Sequence, residues 1–194
     1  MSGPGPRKRS ARERLLDAAD RLFYQEGVHT VGIDRVLEQS GVAKGSLYYN
    51  FGGKDELVRA YLENRHARWV DRINDAIVAA ATPTEKILAI FGVLAALIGQ
   101  PGFRGCAFVN AAAEATQGSV EDLATTEFRT WLRELLTGLL IEAGYRDVGK
   151  LATQLVILWD GANVSAQLDR NPAAAVAARD AAADLLRSAE FKSG

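Results

Sequence analysis

Residues 30–57 read TVGIDRVLEQSGVAKGSLYYNFGGKDEL, and the middle of that stretch decides how the chain folds. Thr30 to Ser40 predicts a helix whose first free N–H groups the Thr30 hydroxyl can cap. Ser40-Gly41-Val42-Ala43 then predicts a sharp reversal. Gly41 supplies a positive φ, and Val42 is an apolar plug that sets the angle between helices. A short second helix, Lys44 to Asn50, stops at Gly52-Gly53. Its spacing turns Leu47 and Phe51 inward and leaves Lys44, Gly45, Ser46, Tyr48, Tyr49 and Asn50 outside. The unit is a helix-turn-helix. On pattern alone it is either a structural hairpin or a reader of DNA. Small residues at the start of the second helix suit the major groove, and Lys44 and Lys54 suit flanking phosphates.

Working outward, nearly every other segment also reads as helix. Ser10 to Glu26 repeats Leu15, Leu16, Ala19, Leu22 and Phe23 on one face and ends at Gly27. Residues 1–9 are Ser/Gly/Pro-rich and basic, a disordered tail. Beyond the hairpin come Asp55–Ala81, Thr84–Ile98, Arg104–Ala115, Ser119–Ala143, Val148–Leu168 and Ala173–Glu190. No stretch alternates with the period of a strand. The expectation is an all-α chain of about nine helices. A three-helix domain over residues 10–54 precedes a helical body over residues 55–194, and the fourth helix bridges them.

Charge is uneven along the chain. Residues 1–54 carry nine Lys/Arg against six Asp/Glu, whereas the remainder carries fourteen against eighteen. A basic end on a mildly acidic body suits a polyanion, although a solvated basic tail without a partner has the same signature. The single cysteine, Cys106, excludes an internal disulfide and fits a reducing cytoplasm. The longest uncharged run, Ile87 to Phe103, is 17 residues and contains Gln100 and Pro101, too short and too broken for a membrane span. Arg7-Lys8-Arg9 has no apolar stretch behind it, which argues against a secretory signal.

Catalysis is poorly supplied. With only His29 and His66, a multi-histidine metal site is out and a Ser-His triad lacks material. There is no G-x-S-x-G, and Gly52-Gly53-Lys54 is not a phosphate loop, since Tyr48 holds the first-glycine position. Neither an enzyme nor a cofactor is expected.

Residues 10–62 resemble the N-terminal domain of the tetracycline-repressor (TetR) family. The likeness is carried by Leu22-Phe23, Gly27, Thr30-Val31-Gly32-Ile33, Ser40 through Phe51 and Lys54-Asp55-Glu56-Leu57. It implies a homodimeric repressor that holds double-stranded DNA at two-fold related half-sites and releases it when a small molecule enters the body. It assigns Thr30, Tyr48, Tyr49 and Lys54 to phosphates, and Lys44, Gly45, Ser46 and Asn50 to base edges. Two positions depart from the family pattern. Ala43 stands where Ser or Thr is frequent, which removes a helix cap worth about 0.5–2 kcal/mol. Asn50 stands where His is frequent, and suits either adenine or phosphate.

The resemblance also implies an effector site in the body, with Trp69, Phe91, Phe103, Cys106, Phe108, Asn110, Glu114, Phe128, Trp131, Trp159 and Asn163 as candidate walls. Plain core packing is the competing reading for each aromatic. Asn110, Glu114 and Asn163 are the candidates for orienting a ligand, because a polar group on an apolar helix needs a partner. Cys106, beside Arg104 at an expected helix start, could carry a lowered pKa and sense oxidants or electrophiles, or be a small buried hydrophobe. A regulator without any small-molecule effector is a further alternative. The last two helices, 148–168 and 173–190, are the expected dimer seam, and the helix 104–115 is the expected mover of the N-terminal module.

Overall fold

The computed structural model describes residues 9–189. The expected tail, Arg9 excepted, and Glu190 at the expected end of the last helix lie outside the described residues. Nine helices are present among them and no strand: α1 (Ala11–Glu26), α2 (Ile33–Ser40), α3 (Lys44–Phe51), α4 (Lys54–Val78), α5 (Pro83–Ile98), α6 (Ala107–Glu114), α7 (Val120–Glu142), α8 (Val148–Asp169) and α9 (Ala173–Ser188).

Local chemistry sets most of the boundaries. Before α1, the Ser10 hydroxyl accepts the Glu13 N–H at 3.2 Å while the Glu13 carboxylate accepts the Ser10 N–H at 2.7 Å. Thr82 and Glu85 repeat the device at the start of α5. The Glu85 carboxylate also takes the Ala81 N–H at 3.0 Å, which binds that residue to the start of α5. Accordingly α4 stops at Val78, short of the expected Ala81.

Two other expected starts are corrected. Helix α2 begins at Ile33 after Gly32, with no side-chain cap, and Thr30 lies exposed in a turn. Buried Val28 and Val31 fold this segment inward, and the Val31 N–H reaches the Gly27 carbonyl at 3.4 Å. Helix α6 begins at Ala107 rather than Arg104, because Gly102 and Gly105 adopt φ of 81° and 82°, which no helix contains.

The apolar interior forms two clusters. One gathers α5, α7, α8, α9 and Ile73 of α4 around Phe91, Leu136 and Trp159. The other gathers α1–α3 and the first part of α4 around Leu15, Leu47 and Tyr61. It also takes in Cys106, Ala107, Phe108 and Ala111 from the α6 segment, and Phe128 of α7. Helix α6 thus packs on α7 and shares its buried face with the N-terminal cluster. Trp69 and Trp131 are partly buried against both clusters and mark the seam.

Candidate nucleic-acid interface and seam pocket

The hairpin has the geometry its residues predict. Gly41 is left-handed at φ 61°, and Val42, Leu47 and Phe51 are buried. Ala43 precedes α3 and offers no side-chain cap; the Ser46 N–H instead donates to the Ala43 carbonyl at 2.9 Å. Tyr49 is 90% exposed and Tyr48 50% exposed, so neither ring serves the fold as core. Gly45 has open space where a Cβ would stand, which leaves the first turn free for close approach to a surface. Lys44 lies 3.8 Å from Asp34, a contact that ties the starts of α2 and α3. Asn50 Nδ2 donates to the Ser46 carbonyl at 2.7 Å, so its amide N–H group is engaged within its own helix. Thr30 is exposed before α2, and Lys54 is half-buried as the first residue of α4. Behind α3, the Arg12 guanidinium sits 5.1 Å from the Phe51 ring centroid.

The expected effector residues divide into three groups. Trp69, Phe103, Cys106 and Asn163 line one cavity of about 230 Å³ at the seam. Phe91, Phe128, Trp131 and Trp159 are outside its walls, in an aromatic chain. Trp159 lies 5.0 Å from Trp69 and 6.1 Å from Phe91, and Phe128 stacks on Phe108 at 4.0 Å and 2°. Asn110 and Glu114 do neither: both fasten the α6 segment. Asn110 Nδ2 donates to the Arg104 carbonyl at 2.8 Å, and Glu114 accepts the His29 N–H at 2.7 Å.

The fastening of α6 to the N-terminal half is extensive. The Tyr24 hydroxyl accepts the Arg104 N–H at 2.9 Å and donates to the Gly105 carbonyl at 3.0 Å. At the other end of the segment, Gly27 permits the Glu114 carboxylate to close in. A Cβ at Gly27 would stand 2.7 Å from Glu114 Oε1, on a backbone already at φ 96°. His29 Nε2 also lies 3.5 Å from Glu121.

Cys106 lies among the apolar side chains of the N-terminal cluster. It is buried, and burial pushes its thiol pKa up, outweighing the Val109 and Phe108 N–H groups that would lower it. The position at the helix start therefore does not produce a thiolate.

Several pocket residues were not singled out by the sequence. Arg65, Arg68 and Arg72 of α4 and Tyr24 of α1 line the cavity. Arg65 makes a two-pronged pair with buried Asp20 at 2.7 and 2.9 Å, and its guanidinium covers the Tyr24 ring at 4.1 Å. The available signal was the spacing 65, 68, 69, 72, which puts three arginines on one helical face with Trp69.

A three-helix DNA-reading module joined to an α-helical body with a pocket at the joint defines a class of regulatory protein, and comparison with known proteins specifies it. Residues 15–61 match the family model "Bacterial regulatory proteins, tetR family", and residues 83–182 match "Tetracyclin repressor-like, C-terminal domain". A TetR-family transcriptional regulator from Streptomyces coelicolor superposes with a TM-score of 0.86 at 33% identity, covering 91% of this chain and 94% of that one. The reduced form of NemR from E. coli superposes at 0.79 with 25% identity, over 95% and 99% of the two chains. Among curated relatives, the HTH-type transcriptional regulator LmrA of Bacillus subtilis is 38% identical over 80 residues, 41% of this chain. That match spans 43% of LmrA, less than half its length. The chain belongs to the TetR family, whose members are DNA-binding transcriptional regulators and not enzymes.

Proposed function

We propose that the protein is a homodimeric repressor that a small molecule releases from its operator. The observation that carries this reading is the double attachment of the α6 segment. Its apolar face lies in the N-terminal cluster, Tyr24 and Glu114 fasten its two ends to that half, and the cavity opens along its leading loop. A ligand that displaces the loop pulls on the DNA-reading half through these contacts. To act as a switch it must favour the released arrangement by several kcal/mol.

In this reading Tyr48, Tyr49, Thr30 and Lys54 hold phosphates, while Lys44, Gly45 and Ser46 face base edges and Asn50 offers its amide oxygen. An aromatic ring 90% exposed on a helix that needs it for nothing internal is well explained by a partner. The second copy docks through α8 and α9. Ile157, Val164 and Leu168 are exposed on α8 at helical spacing, Val176 is exposed on α9, and Gly161 leaves open space within the stripe. Small residues there allow close helix approach across a two-fold axis, and the paired modules then span half-sites about 34 Å apart. The protein acts in the cytoplasm, where the DNA lies. A Cys106 sensor is the weaker reading, since the thiol is buried and its pKa raised.

A gel shift on the DNA flanking its own gene, at two salt concentrations, tests the reading. Steep loss of binding with salt, and loss in Tyr49→Ala and Lys54→Ala, are expected. A monomer that binds duplex no better than a neutral control at low salt overturns it.

A further inference from the structure

We infer that the seam pocket takes a small organic anion bearing a hydroxyl or amide donor. The anion's role as effector rests on the switch proposed above; its chemistry rests on the pocket alone. Arg65, Arg68 and Arg72 project from one face of α4 into the lining, and no acidic residue lines it. Asp20 lies behind them and is committed chiefly to Arg65, reaching Arg68 only at 3.4 and 3.5 Å. Arg72 has no ion-pair partner among the described residues. Three guanidinium groups therefore face one carboxylate, and the excess of positive charge borders a cavity partly walled by protein, where an anion is screened less than in open solvent.

An independent observation specifies the rest of the ligand. Asn163, 2% exposed, lines the same cavity from α8. Its Nδ2 donates to the Trp159 carbonyl at 3.0 Å, whereas its Oδ1 has no partner. A buried amide oxygen without a donor is costly, and a ligand hydroxyl or N–H would satisfy it. Trp69 supplies an apolar wall of the same cavity. The volume, about 230 Å³, is below the range of drug-sized pockets and suits a single-ring acid.

Calorimetric titration of the full chain with 4-hydroxybenzoate, benzoate and the neutral 4-hydroxybenzamide tests the assignment. The expected order is 4-hydroxybenzoate tightest, benzoate weaker, and the neutral amide at least tenfold weaker than 4-hydroxybenzoate. Arg72→Gln, at an exposed position that the fold does not need, should weaken 4-hydroxybenzoate at least tenfold with an unchanged melting temperature. Asn163→Leu should erase the advantage of 4-hydroxybenzoate over benzoate while leaving benzoate itself bound. The proposal is overturned if neither acid binds, if the neutral amide binds as tightly, or if Arg72→Gln binds as the parent does. Operator release is scored separately. An acid that binds in the expected pattern without loosening DNA leaves the anion site standing and removes the switch. Absence of binding removes the anion site and leaves the switch unaffected.

Discussion

The two apolar clusters are built from similar side chains and differ in how they meet the outside. The body cluster is closed by long helices, α7, α8 and α9, whose inner faces are continuous stripes of Leu, Ala and Trp. The N-terminal cluster is closed by α1, the start of α4 and the two eight-residue helices α2 and α3, and it borrows from the α6 segment and Phe128, far away in sequence. Between them the joint is polar on one side, with Asp20, Arg65, Arg68 and Tyr24, and aromatic on the other, with Trp69, Trp131 and His66. The two clusters share α4, which gives Leu62 to the N-terminal one and Ile73 to the body, and the buried residues of the α6 segment belong to the N-terminal one.

Core truncations separate the two halves most forcefully. Phe91→Ala removes a fully enclosed ring from the body and should cost about 3–5 kcal/mol; Leu47→Ala, in the N-terminal cluster, should cost about 2–5 kcal/mol. Leu47→Ala should abolish DNA binding at temperatures where the helical signal of the body persists. Coincident single melting transitions for both variants would mean that the clusters unfold as one unit.

The polar side of the joint comes next. Asp20→Asn leaves Arg65, whose side chain is 20% exposed, without its carboxylate, and should cost roughly 1–3 kcal/mol in denaturant titration. An unchanged midpoint would reduce the pair to a surface contact. Glu114→Gln should cost about 1 kcal/mol by weakening the bond from the His29 N–H. Hydrogen exchange at the His29 amide should quicken, and protection equal to the parent's would show that Glu114 does not hold the turn.

The smallest effect is a pH dependence. Burial pushes the His66 pKa below its ordinary value of 6.5, against a smaller upward pull from Glu127. Nε2 is buried without a partner, amid Phe108, Phe128 and Trp131. Below the ordinary value the unfolded chain takes a proton that the folded one resists, so stability should fall on acidification from about pH 7.5 to 5.5. In His66→Phe the melting temperature should drop less across that interval. An equal drop would assign the dependence to other groups.

The sequence was most legible where structure is decided within a few residues. The Gly41 turn, the inward Leu47 and Phe51, the Gly27 stop and the exposed tyrosines all follow from local chemistry. Legibility failed where a distant partner decides. Thr30 looked like a cap until the burial of Val28 and Val31 intervened, and Glu114 looked like a ligand group although its bond is to a residue 85 positions earlier. Helix α6 starts later than the spacing predicts because Gly102 and Gly105 take positive φ; a side chain at Gly105 would collide with the Gln167 amide, so the loop is moulded onto α8. The arginine row was visible as spacing, but its significance comes from the cavity, which the chain assembles from α1, α4, α8 and the α5–α6 loop.

The chain's three tryptophans, Trp69, Trp131 and Trp159, all lie in the body or at the joint. Trp69 forms a wall of the cavity and sits 5.0 Å from Trp159, close enough for the two indoles to exchange excitation. The molecule therefore carries its own unlabelled optical gauge at the joint. Any shift of the N-terminal half against the body should change the emission colour and anisotropy of these indoles.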